Sequence, residues 1–130
     1  MIGYHSVSAI VDAYAKEIQF NDYGSLYNGM LSIANRNILG IPSYLKHGYI
    51  PSHDESESVS KTLEYAYDDW CIAQLAKEMN DSLSFNSFIS RAQSYKNIFN
   101  PETGFMQPKY NGTWKSDFIP SEVNFNYTEA

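Results

Sequence analysis

The sequence predicts an all-α fold of helices paired into αα-hairpins, with one short β-hairpin near residues 105–115, and three observations carry that prediction. Apolar residues recur at helical spacing through most of the first hundred positions. The stretch Val59–Met79 is long, carries two apolar stripes and is followed at once by an amphipathic stretch, as in an αα-hairpin. The one strong strand signal is Asn111-Gly112, a two-residue hairpin turn flanked by Met106 and Trp114.

Taken in order, Ser6–Phe20 places Val7, Ile10, Val11, Tyr14 and Ile18 on one helical face. Tyr23–Asn35 does the same with Leu26, Tyr27, Met30, Leu31, Ile33 and Ala34, and Asp22 is its expected N-cap. Gly40, Pro42 and Gly48 punctuate an irregular stretch, Leu39–Pro51, with room for one helical turn around Tyr44-Leu45. The acidic run His53–Ser58 reads as a solvated loop, with Ser58 capping the long helix. In that helix Val59, Leu63, Ala66, Tyr67, Trp70 and Ala73 form one stripe, and Ile72, Leu75, Ala76 and Met79 a second, so it packs on two sides. Trp70 is expected in the core. From Ser84 to Phe99 a single stripe faces Arg91, Gln93, Lys96 and Asn97, which marks a surface helix ended by Asn100-Pro101. The tail from Ser116 to Ala130 has no sustained period.

At 130 residues, 43% apolar and 18% charged, the chain has the size and composition of one globular domain. A net charge of −6 argues against nucleic acid and anionic membrane surfaces as partners, since phosphate binding needs a basic footprint. No apolar run reaches the roughly 18 residues of a membrane span. The single Cys71 cannot form an intrachain disulfide and reads as a small buried hydrophobe. The 11 tyrosines suit either an ordinary core or surfaces that pack on sugar rings.

The charges on the long helix are the candidate site residues. Glu64 and Asp68 share a face, and two carboxylates four apart disfavour a helix unless a cation relieves them. Lys61, three residues before Glu64, is placed to do so. The group is either a network lining a polar cleft or a structural ion pair. As an acid/base dyad it fails, because side chains starting about 6 Å apart on one helix leave no gap for a scissile bond. His5 is either a helix cap or a polar group at a cleft mouth, Asp12 is expected as a buried hydrogen-bonding carboxylate, and Trp114 is either a hairpin residue or a stacking platform. No Cys/His cluster or calcium-loop pattern is present, so no metal ligand is assigned.

Five stretches together resemble the catalytic domain of glycoside hydrolase family 92, calcium-dependent exo-acting α-mannosidases. They are Met1-Ile-Gly-Tyr-His-Ser-Val7 with Ile10-Val-Asp-Ala-Tyr14, Gly48-Tyr-Ile-Pro51, Glu57-Ser-Val-Ser-Lys-Thr-Leu-Glu-Tyr-Ala-Tyr-Asp-Asp-Trp-Cys-Ile-Ala-Gln74, Asn100-Pro-Glu-Thr-Gly-Phe-Met106 and Tyr127-Thr-Glu-Ala130. The third is long and specific. The resemblance implies that residues 1–130 are a fragment, roughly two of six helical hairpins, of an (α/α)6 toroid whose chain continues beyond the last motif. It implies inverting hydrolysis of terminal α-mannosides such as α-1,2 linkages, with Glu129 as general acid and the general base outside this chain. Substrate contacts are expected from His5, Lys61, Glu64, Asp68 and Trp114. Calcium is implied as cofactor without ligands placed here, mannose-containing glycans as partners, and a periplasmic or secreted bacterial parent enzyme. The fragment alone is expected to be inactive, and its two-faced helix to favour self-association. The competing reading is a non-catalytic helical scaffold or partner-binding module, since fold does not dictate function.

Overall fold

A computed structural model describes residues 3–128. The helices are α1 Ser6–Ala15, α2 Tyr23–Ile33, α3 Ile41–His47, α4 Ser58–Glu78 and α5 Ser82–Arg91, followed by a 3₁₀ turn Ser94–Asn97. Two small antiparallel ribbons complete it: β1 Phe99–Asn100 with β2 Phe105–Met106, and β3 Lys109–Tyr110 with β4 Thr113–Trp114. The mostly helical class, the α4/α5 hairpin and the turn at Asn111-Gly112 stand as the sequence indicates.

Local chemistry explains the boundaries. Asp22 caps α2 by accepting from the Ser25 amide at 2.9 Å, and Asp81 caps α5 through Ser84 at 3.0 Å. Asn111 and Gly112 both have positive φ, 47° and 83°, the pairing that a tight primed turn between twisted strands demands. Gly48 ends α3 at φ 71°, where a Cβ would lie 2.6 Å from the side-chain Nδ2 of Asn97.

Three boundaries differ from expectation. α1 ends at Ala15 rather than Phe20, because the chain turns through a left-handed Glu17. The irregular stretch holds a full helix, α3, with Pro42 near its start, where a missing N–H does no harm. The last helix stops at Arg91 instead of Phe99 and tightens into the 3₁₀ turn, after which Phe99-Asn100 pairs with Phe105-Met106. A glycine at φ 74°, Gly104, closes that unpredicted ribbon.

α4 is the axis. α1, α2 and α5 pack around it, and Tyr65, Ile72, Ala73, Leu75 and Ala76 are buried along its length. The stripe of Ile72, Leu75 and Ala76 is covered as expected. The other is covered only in part, for Tyr67 is 55% and Trp70 45% exposed, their rings stacked 6.3 Å apart. Trp70 is therefore not a core residue within the described residues. That side of α4 meets too few elements to be closed over.

Candidate functional site

Polar side chains gather on α4 in three places. Its centre carries a closed network. Asp69, fully buried, accepts from Tyr4 Oη at 3.0 Å, Tyr44 Oη at 2.8 Å and Arg91 Nε at 2.9 Å, while Arg91 Nη2 lies 2.9 Å from its other oxygen. Arg91 also donates to the Ala34 carbonyl at 3.0 Å and to Asn35 Oδ1 at 3.2 Å, so one guanidinium joins α5, α4 and the end of α2. Arg91 was expected at the surface. It turns inward because a buried carboxylate must be paired. Desolvation pushes the Asp69 carboxyl up to about 6, against the opposing pull of Arg91, Tyr44 and Tyr4.

One residue earlier, Asp68 is also fully buried and faces α1. His5 Nδ1 lies 3.0 Å from Asp68 Oδ2 and 3.6 Å from Glu64 Oε2, with Glu64 half-exposed. Asp68 Oδ1 has no hydrogen-bond partner among the described residues. Burial pushes the Asp68 carboxyl up to about 6, and His5 pulls it back. Glu64 and Asp68 thus come together, and the group beside them is His5, which the sequence reading had not joined to them; it stands at the N-cap position of α1 but makes no side-chain cap bond.

Lys61 does not join that group. Its ammonium is buried and lies 2.9 Å from Glu55 Oε1 and 3.6 Å from Glu57 Oε2. Side chains of a helix lean toward its N-terminus, so Lys61 reaches back over the first turn rather than forward to Glu64. Asp12, expected to be buried, is exposed and pairs with Lys16 at 2.6 Å, one turn away on the open face of α1.

The third place is the start of α4. Glu57 occupies the N-cap at φ 56° with no side-chain cap, and Ser58 is the first helical residue rather than the cap. The helix is capped from a distance by the tail. Glu57 N donates to the Phe125 carbonyl at 2.6 Å, and Val59 N and Ser60 N to the Asn126 carbonyl at 3.0 and 3.4 Å. Ser58 Oγ meets Asn126 Oδ1 at 3.1 Å, Thr128 N donates to Ser60 Oγ at 2.9 Å, and Tyr127 Oη donates to the Met106 carbonyl. A left-handed non-glycine residue persists only where its surroundings hold it, and here the tail bond to its N–H does so. Glu129, the expected proton donor, lies outside the described residues, directly after this clasp.

Trp114 sits in β4, half-buried, with Lys109 Nζ 4.1 Å from its ring centroid, so a cation occupies one face of the indole. Among the described residues no three His, Cys, Asp or Glu side chains are placed to hold a metal ion. No calcium ligand is therefore assigned among the described residues. No helix among them is long and apolar enough to cross a membrane.

The comparisons with known proteins converge. Residues 1–130 match the sequence profile of the glycosyl hydrolase family 92 catalytic domain. A family 92 α-mannosidase from Bacteroides thetaiotaomicron is 43% identical and superposes with a TM-score of 0.93, over 99% of this chain and 18% of its own. A family 92 inverting mannosidase from the same organism is 37% identical at a TM-score of 0.90, over 99% of this chain and 19% of its own. A protein described as an uncharacterized secreted glycosidase of Arthroderma benhamiae is 28% identical over 86% of this chain and 18% of its length. The chain thus spans about a fifth of the length of these relatives.

Proposed function

The chain belongs to glycosyl hydrolase family 92, and from that membership we propose that it is the proton-donor segment of an inverting exo-α-mannosidase. The parent enzyme removes terminal α-mannosyl units, α-1,2-linked ones among them, from mannose-containing glycans outside the cytoplasm of a bacterium. Residues 1–130 supply about two of the six hairpins of an (α/α)6 toroid.

Inversion needs one protonated carboxyl to give its proton to the departing glycosidic oxygen. A second carboxylate, roughly 6.5–9.5 Å from the first, activates water on the opposite face of the sugar. Glu129 takes the first part, and the second comes from outside this chain. Glu64 and Asp68 cannot form the pair, since both turn toward the same His5 imidazole. With His5 they form a polar patch that contacts substrate or its surrounding hydrogen bonds. The half-buried Trp114 ring offers a stacking surface, and Lys61 acts from beneath by fixing Glu55 and Glu57. The observation that carries this reading is the clasp: five hydrogen bonds seat residues 125–128 on the start of the most buried helix, directly before the glutamate.

The test is a graft. This chain replaces the matching segment of the 43% identical Bacteroides thetaiotaomicron α-mannosidase, and release of mannose is followed by proton NMR. Turnover that yields β-mannose first and is removed by Glu129→Gln supports the reading. A graft that binds a protein partner saturably but has no affinity for mannosides supports the scaffold alternative.

A further inference from the structure

We infer that Ser60 is a positioning residue for the proton donor, an inference that rests on the reading of Glu129 above. The Thr128 amide is the last backbone donor before that glutamate, and Ser60 Oγ accepts it at 2.9 Å. Ser60 also meets the tail through its own N–H, which points to the Asn126 carbonyl at 3.4 Å. One serine in the first turn of α4 therefore touches the tail on both sides of Tyr127.

What the serine is anchored to gives this contact its weight. The next residue, Lys61, is buried and ion-paired, and Thr62 is buried with its hydroxyl bonded to the Ser58 carbonyl at 2.7 Å and to the Ile50 amide at 3.0 Å. Tyr65, one turn on, is fully buried and donates to the Leu39 carbonyl at 2.8 Å. The first turn of α4 is thus among the least free parts of the chain, whereas the tail has no regular structure between Lys115 and Thr128. A general acid must meet the leaving oxygen at hydrogen-bond distance, and a displacement near 1 Å is enough to lower a rate about a hundredfold. Ser60 passes the rigidity of α4 to the backbone from which the acid side chain departs. The helix does not itself require a hydroxyl there, because the Asn126 carbonyl already accepts from the first-turn N–H groups of Val59 and Ser60.

The experiment compares leaving groups in the graft. A donor out of place matters when the departing group needs a proton and matters little when it does not. Ser60→Ala is expected to lower kcat about 10- to 100-fold on an alkyl α-mannoside, with KM and the rate on 2,4-dinitrophenyl α-mannoside within about threefold of the parent graft. Ser60→Thr, which keeps the oxygen, restores the alkyl rate. An equal loss on both substrates, or no loss on either, overturns the inference. The Glu129→Gln graft read alongside separates the two claims: if it shows no leaving-group dependence, the reading of Glu129 itself fails. A second measurement needs no graft. In the 130-residue chain the Thr128 amide exchanges its proton slowly, and Ser60→Ala speeds that exchange at least tenfold. Exchange at the free-peptide rate in the unaltered chain overturns the inference.

Discussion

Asp68 and Asp69 are adjacent, equally buried, and surrounded in opposite ways. Asp69 faces inward to α3 and α5 and receives donors from Tyr4, Tyr44 and both arms of Arg91. Asp68 faces α1, has His5 alone, and leaves one oxygen without a partner among the described residues. The first arrangement is closed: every lone pair that matters is met within the segment, as a structural buried ion pair requires. The second is open, and lies beside a half-exposed Glu64. A successive pair of carboxylates on one helix thus separates a group paired within the segment from one left open beside Glu64.

The sharpest way to break that contrast is Arg91→Ala. Removing the cation strands a buried carboxylate, and a loss of about 3–5 kcal/mol in urea unfolding is expected. A loss below about 1 kcal/mol would show Asp69 to be no keystone.

The pH dependence sharpens it next. Burial raises both carboxyls to about 6 from an ordinary 3.8, so folding takes up protons between about pH 4 and 6. Stability is then greatest at the acid end of that window and falls as the pH rises through about 6. Asp68→Asn should remove one proton's share of the slope, at most about 1.4 kcal/mol per pH unit, and leave the fold intact. An unchanged slope would mean that Asp68 is paired in solution.

A smaller effect is expected from Tyr44→Phe, which takes one donor from Asp69 while Arg91 remains, at about 1 kcal/mol. A cost near that of Arg91→Ala would mean the tyrosine, not the arginine, holds the network. Smallest is Trp70→Lys on the uncovered face of α4, within about 0.5 kcal/mol for folding. We expect it to abolish self-association of the 130-residue chain in sedimentation, and a monomeric unaltered chain would contradict this.

What the sequence made legible follows a physical division. Asp22 and Asn111-Gly112 were readable because capping and primed turns are settled within four residues. The two stripes of α4 were readable because periodicity reports burial, although it could not show that Tyr67 and Trp70 stay about half-exposed among the described residues. The Asp69–Arg91 pair, the direction of Lys61 and the seating of Asn126 on α4 join residues distant in sequence or depend on side-chain lean. No periodic signal reports them. The short β1/β2 ribbon was missed because two-residue strands leave no alternation to detect. At the candidate site, the shared face of Glu64 and Asp68 was legible through helix spacing, whereas the approach of His5 to them was not. The tail clasp was not legible at all.

The measurement that bears most directly on the central claim is kcat/KM of the graft on an unactivated α-mannoside, for Glu129→Gln against Asp68→Asn. A loss of about 10²–10⁴-fold is predicted for Glu129→Gln, and at most a rise in KM for Asp68→Asn. Glu129→Gln at full rate, with Asp68→Asn inactive, would contradict the account and place the chemistry on α4.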